Sequence, residues 1–251
     1  MTAKKFSETH TVPYYEGNIT NHITLAMLLN IVILVSEHQN EILGVDHNEL
    51  INNYGIGWVV TSYSIKINEL PKIDQTIKLT TRGTSYNKYF AYREFWIENE
   101  DGEELVKIDS IWVLINEETR KVSPIDNDLI ALYESENVKR LPRLPRPEKL
   151  GDELDSSKKY QVRINDIDFN GHVNNAHYMD WMLDVFSIDF ITSHKPVQVD
   201  IRFENEVTYG SWVESSVKIE AMPDGLTKTV HRIDSGNEVS AIATIIWGDI
   251  K

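Results

Sequence analysis

Between Asn165 and Met182 the chain reads NDIDFNGHVNNAHYMDWM, and within it Asp168, Asn170 and His172 crowd around Gly171. A carboxylate can take a proton, an imidazole can hold or pass one near neutral pH, and an amide can orient a water or a carbonyl oxygen. Tyr178, Trp181, Met182 and Val185 then follow at i, i+3, i+4 and i+7, so a helix is expected from about Asn174 to Ile191. The polar trio therefore sits on the connection into a helix N-terminus, where unpaired N–H groups and the helix dipole favour negative charge developing on a carbonyl oxygen. Together these groups are the equipment for hydrolysing an acyl group. Asn174 and Asn175 are expected to cap the helix, and a backbone N–H beside them is the candidate oxyanion donor. Asp166 reads as structural. His177 lies five residues after His172, about 500° around a helix, and reads as packing on another face.

An Asp-x-Asn beside a glycine is also the ordinary composition of a turn and helix cap. What favours chemistry here is the histidine, together with a second, altered copy of the same region earlier in the chain. Residues 4–19, KKFSETHTVPYYEGNI, align without gaps to 158–173, KKYQVRINDIDFNGHV, an offset of 154; IKINELPKIDQTI at 65–77 faces IRFENEVTYGSWV at 201–213, an offset of 136; ELVKIDSIWVLI at 104–115 faces EVSAIATIIWGD at 238–249, an offset of 134. Three blocks in one order indicate duplication. By the first offset Asp168, Asn170 and His172 face Tyr14, Glu16 and Asn18, so the first copy is expected to have lost the constellation and to supply substrate-binding wall.

The elements that must position these residues repeat as well. Each copy has a polar alternating strand, a turn, an apolar helix and long alternating strands; the first helix is expected over about Thr20–Glu37. Asp101-Gly102 and Ser235-Gly236-Asn237 signal hairpins. The α+β solution is one buried helix per lobe wrapped by a curved antiparallel sheet, with the two sheets joined side by side. Lobes are expected at 1–130 and 157–251. The linker at 131–156 holds prolines 142, 145 and 147, which favour extended backbone.

Composition narrows the function. The chain of 251 residues has no cysteine, which excludes disulfides, thiolate metal sites and a cysteine nucleophile, and its formal charge of −14 argues against a general nucleic-acid surface. No set of His and carboxylates shows metal spacing, so neither metal nor cofactor is expected. The longest apolar run, Ile23 to Val35 interrupted by Asn30, is short of the roughly 20 residues needed to span a bilayer. The first residues, MTAKKFSETH, resemble neither a secretory signal nor a transit peptide, and a cytoplasmic location is expected.

The run Asp168-Phe169-Asn170-Gly171-His172-Val173-Asn174-Asn175 resembles the D-x-N-x-H-V-N-N signature of the acyl-acyl-carrier-protein thioesterases, the plant fatty-acyl chain terminators and their bacterial relatives. The resemblance spans almost the whole chain and implies a tandem hot-dog fold that hydrolyses fatty acyl thioesters in fatty acid biosynthesis. It implies a catalytic network of Asp168, Asn170 and His172 with a glutamate, which the stretch FENEVTYGS makes Glu206. Plant members commonly carry a cysteine after that glutamate; here Val207 stands there, which excludes a thiol mechanism. By the 136 offset Glu206 faces Leu70. Alternation along the strand puts Glu206 on the face opposite Ile201 and Phe203, so the resemblance alone assigns it to the site.

A carboxylate could activate water or attack the carbonyl to give a mixed anhydride; both readings stand. The implied partner is acylated acyl carrier protein, which is acidic. Lys139, Arg140, Arg143, Arg146 and Lys149 fall in one linker stretch with a single acid, the candidate docking segment. The chain is expected to work as a monomer, a pseudo-dimer of lobes, or as a homodimer. Two alternatives are an acyl-CoA thioesterase and a non-catalytic acyl-binding protein of the same fold.

Overall fold

The computed structural model describes residues 3–250. In the first lobe the Thr24 hydroxyl accepts a hydrogen bond from the Met27 N–H at 3.1 Å and starts α1, Leu25–Leu43, which ends where Gly44 adopts a left-handed φ of 72°. Leu28, Leu29, Val32 and Val35 on this helix are fully buried. They share one core with Ile77, Leu79, Phe95, Ile97 and Ile108 from the strands around them. Truncating such a residue, as in Leu29→Ala, costs about 2–5 kcal/mol.

The strands are β1 (Lys5–Thr11), β2 (Ile56–Ile67), β3 (Thr76–Tyr86), β4 (Ala91–Glu98), β5 (Glu104–Asn116) and the short β6 (Val122–Ser123) and β7 (Glu136–Asn137). The second lobe adds β8 (Ser156–Gln161), β9 (His194–Phe203), β10 (Trp212–Ala221), β11 (Thr227–Ser235) and β12 (Glu238–Asp249). All twelve join one sheet whose main order is β1-β3-β4-β5-β2-β9-β12-β11-β10-β8. The lobes meet where β2 pairs antiparallel with β9, with Tyr63 opposite Ile201 and Ile65 opposite Val199. Ser64 seals the seam by donating to Asp200 Oδ1 at 2.7 Å. This is the tandem hot-dog arrangement, and the hairpins fall at the two expected turns, with Gly102 and Gly236 at positive φ.

Short helices complete the chain: α2 (His47–Glu49) running into a π-turn at Leu50–Tyr54, α3 (Asn127–Ala131), α4 (Asn175–Leu183) and α5 (Ile188–Ser193). The two long helices depart from expectation. The first begins at Leu25, five residues later than the expected Thr20, and continues to Leu43, because the residues from Asn18 to Ile23 are held in a loop. The second is broken. α4 stops at Leu183, and Ser187 starts a new helix by accepting from the Phe190 N–H. The intervening Asp184 side chain is drawn aside to Lys158 and to the Tyr160 hydroxyl. Of the linker, 132–134 forms a turn after α3, Glu136–Asn137 pairs with β3, and 141–151 is neither helix nor strand, with Pro147 and Leu150 buried and the Glu148 N–H donating to Thr244 Oγ1.

Candidate active site

The loop ahead of α4 is built from its own polar groups. A 3-10 turn at Ile164–Asp166 leads in, and Asp166, almost fully buried, accepts from the Arg163 N–H and from its guanidinium. The Asp168 N–H donates to the His172 carbonyl at 2.8 Å, the Gly171 N–H to the Asp168 carbonyl, and the Asn170 N–H to Asp168 Oδ1 at 2.8 Å. Gly171 takes φ 81°, the left-handed conformation this turn demands. Val173 N–H then bonds the Val207 carbonyl, tying the loop to the segment after β9. Asn174 caps α4 by accepting from the Ala176 N–H at 2.9 Å, and Asn175 is the first helical residue.

Glu206 lies in that same segment. The period-two argument fails for it because β9 ends at Phe203, and the Glu204 and Asn205 N–H groups both turn to the Ser240 carbonyl. Its carboxylate faces the loop: Glu206 Oε2 is 3.1 Å from His172 Nε2. The other oxygen accepts from Arg120, whose second nitrogen bonds Glu117 at 2.7 Å. Arg120 comes from the other lobe, on the turn between β5 and β6, at a left-handed φ of 53°. Sequence reasoning missed Arg120 and Glu117. They lie in a polar hairpin turn that carries no motif, and only pairing of the lobes brings them to the site.

Of the expected residues, His172 and Glu206 are therefore in contact, while the Asp168 carboxylate holds the loop through the Asn170 N–H and makes no hydrogen bond to the His172 ring. Asn170, with Phe169, faces a small cavity of about 110 Å³ walled by the first lobe, including Ile33, Trp58, Tyr92 and Trp112. The Phe169 ring packs edge-on against His47, centroids 4.1 Å apart. His172 Nδ1 is buried and has no hydrogen-bond partner among the described residues. Behind the pair, burial raises the Tyr178 phenol above its ordinary pKa, and the charges of Glu206 and Asp168 add to that.

A second loop of the same build precedes α1. It has the same 3-10 turn, at Tyr14–Glu16. The Asn18 N–H donates to the His22 carbonyl at 3.1 Å, the Asn21 N–H to the Asn18 carbonyl, the Thr20 N–H to Asn18 Oδ1 at 2.9 Å, and the Ile23 N–H to the Pro71 carbonyl. Asn21, at φ 62°, stands where the other loop has Gly171. The structural offset in this block is thus 150, not the 154 of the ungapped alignment. That alignment matched residues 4–19 in the wrong register, and its pairing of Asp168, Asn170 and His172 with Tyr14, Glu16 and Asn18 is corrected. The true counterparts are Asn18, Thr20 and His22, while Leu70 remains opposite Glu206. The first copy has kept its histidine and lost the other three groups.

A cavity of about 1220 Å³ lies beside this first loop and not beside the His172–Glu206 pair. Its wall includes Trp181, Leu183, Ile191 and Trp247 from the second lobe. His177 also lines it, 3.3 Å from Asp180, whose hydrogen bond raises the His177 pKa; the residue is not simply packing. The five linker cations are all exposed, and none is ion-paired among the described residues.

A profile of the acyl-ACP thioesterase N-terminal domain matches residues 3–133, and one of the C-terminal domain matches 151–249. A crystal structure assigned as an oleoyl thioesterase of Lactobacillus plantarum is 43% identical, with TM-score 0.95 over 99% of this chain and 98% of that one. The 12:0-ACP thioesterase of Umbellularia californica shares the fold, with TM-score 0.85 at 19% identity over 98% of each chain. Among curated relatives, a chloroplastic acyl-acyl-carrier-protein hydrolase of Cuphea viscosissima is 27% identical over 72% of this chain and 47% of its own length. The chain spans about half the length of the first curated relatives it matches.

Proposed function

The chain belongs to the acyl-ACP thioesterase family, and from that premise we propose that it hydrolyses the thioester of a fatty acyl chain carried on acyl carrier protein, releasing free fatty acid and the carrier thiol. The observation that carries this reading is the His172–Glu206 pair, locked by Arg120 of the opposite lobe. Glu206 accepts the Nε2 proton and so selects the tautomer whose lone pair is on Nδ1, the nitrogen that has no protein partner. That nitrogen takes a proton from water as the water oxygen attacks the thioester carbonyl, and returns it to the departing thiolate. Asn170, at the edge of the small cavity, orients the reacting groups, and the Asn175 end of α4 supplies the oxyanion donor. Asp168 fixes the loop and adds negative charge that stabilises the imidazolium. General acid–base assistance of this kind is worth about 10²–10⁴-fold.

The first carbons of the chain run from the site toward the cavity walled by Ile33 and Trp58. Its volume of about 110 Å³ equals only a few water molecules at about 30 Å³ each, so a long chain requires its aromatic wall to move. The 139–149 segment meets the acidic carrier protein, which the chain as a whole repels. The joined lobes supply within one chain the sheet that a dimer would make, so a monomer suffices, in the cytoplasm where such a carrier protein is held. Purified protein assayed on matched acyl-carrier and acyl-CoA substrates tests the proposal: hydrolysis with preference for the carrier-bound chain supports it. Preference for the CoA ester would favour the single-lobe type of activity, and no hydrolysis would leave an acyl-binding protein.

A further inference from the structure

The two loops share a backbone but differ in charge where an acyl head group would sit. Around His172 stand Asp168, Glu206 and Glu117, with the Arg120 guanidinium pairing both glutamates. Around His22 the carboxylates have gone: Asn18 replaces Asp168 and Leu70 replaces Glu206. Three acids line the cavity beside this loop: Asp180 pairs with His177, Asp184 pairs with Lys158, and Glu69 is held below its ordinary pKa range, first by a hydrogen bond from Lys72 and further by the charges of Lys72, His22 and Lys195. Lys72 pairs with Glu69 at 2.8 Å, whereas Lys195 has no ion pair among the described residues.

The cavities differ in the opposite sense. In the first lobe α1 continues past Ile33 and fills the space behind the catalytic loop. In the second lobe the helix stops at Leu183, the counterpart of Ile33, and the break before α5 opens the chamber of about 1220 Å³. Trp181, Ile191, Trp212 and Trp247 line it, and so do four cations, Lys72, Lys159, Arg163 and Lys195. An apolar chamber on this scale with a few convergent polar groups is built to take a small amphipathic molecule.

We infer that this chamber is a second, non-hydrolytic site that binds a free long-chain fatty acid, its carboxylate among Lys72, Lys195 and His22 and its chain between Trp181, Ile191 and Trp247. The inference rests on the proposed function only for the class of head group. A thioester held here meets no Glu206 and is not cleaved. A free carboxylate, repelled from the catalytic loop by Asp168 and Glu206, meets cations instead.

Tryptophan placement makes this testable. Trp181, Trp212 and Trp247 line the large cavity, and Trp58 and Trp112 the small one. Titration of the full chain with 9,10-dibromooctadecanoate should quench its fluorescence, and a Trp58→Phe/Trp112→Phe variant should retain the saturable quenching. Asn18→Asp with Leu70→Glu, which restores the two lost charges, should weaken binding at least tenfold while thioester hydrolysis stays as in the wild type. Asn18→Asp alone preserves the loop bond to Thr20 and should weaken it several-fold, which guards against a folding artefact of the double change. Quenching abolished by the Trp58/Trp112 variant, or an unchanged titration midpoint in both charge variants, would overturn the inference. Failure of the proposed function reads differently: the wild type would bind the brominated acid but hydrolyse no thioester.

Discussion

Loop 164–175 and loop 14–25 share the same turns, the same backbone hydrogen bonds and a histidine at the same place, yet one carries Asp and Asn, with Glu206 on the segment bonded to it, where the other carries Asn and Thr, with Leu70. The difference separates scaffold from chemistry. Asn18 Oδ1 accepts from the Thr20 N–H as Asp168 Oδ1 accepts from the Asn170 N–H, so the turn needs the oxygen and not its charge. His22 Nδ1 donates to its own loop, to the Thr20 carbonyl at 2.7 Å, whereas His172 leaves Nδ1 free and engages Glu206 through Nε2. One ring is a strut. In the proposed mechanism the other passes the proton.

Copying the first loop into the second, one residue at a time, sharpens this contrast. Glu206→Leu, which installs the Leu70 side chain, removes the partner that sets the His172 tautomer; turnover should fall about 10²–10⁴-fold with little change in KM. A loss under about threefold in steady-state assays would break the assignment of Glu206. Asp168→Asn keeps the loop bond, as Asn18 demonstrates, and removes only charge. Turnover should fall about 10²-fold at an unchanged melting temperature, and a large drop in that temperature would mean Asp168 is mainly scaffold.

A smaller effect is expected where the lobes are joined. Reversing Arg140, Arg143 and Arg146 to Glu should raise KM for an acyl-carrier substrate several-fold with less effect on kcat, because rim charges act mainly on association; added salt should weaken the wild type likewise. An unaltered KM would reduce the segment to a spacer.

The cores differ at one position too. By the strand offset of 136, His231 stands where the first lobe has Phe95, and both are buried. Burial lowers the His231 pKa from 6.5 to about 3. The native ring stays neutral while the unfolded one takes up a proton below about 6.5, so this residue's contribution is complete above that pH and is lost as pH falls toward 3. His231→Phe should flatten stability between those limits by about 1.4 kcal/mol per pH unit at most, read from urea titrations at several pH values. An acid limb as steep as in the wild type would assign it to carboxylates instead.

Fold and site were legible to different depths. Apolar periodicity and turn residues located both helices, both hairpins and the duplication, since burial is written locally. Register was harder: KKFSETH and KKYQVRI match by their shared lysines at an offset of 154, but these are strand residues facing solvent, while the hydrogen bonds of the loops require 150. His22 was hidden by that slip. Glu206 could not be placed by alternation, because β9 ends three residues earlier. Arg120 had no local signal at all, being brought to Glu206 across 86 residues of chain by pairing of the lobes. The break in the second helix turns on Asp184 being held by Lys158 and Tyr160, a tertiary effect that overrides a continuous apolar pattern.

The central claim is that hydrolysis belongs to the second loop alone although both loops own a histidine. Single-turnover hydrolysis of a long-chain acyl carrier protein by the wild type, His172→Ala and His22→Ala, each verified as folded, tests it most directly. The account predicts at least about a 10²-fold loss for His172→Ala and a rate within about twofold of wild type for His22→Ala, whose ring carries no proton in the reaction. Equal losses in the two variants would contradict it.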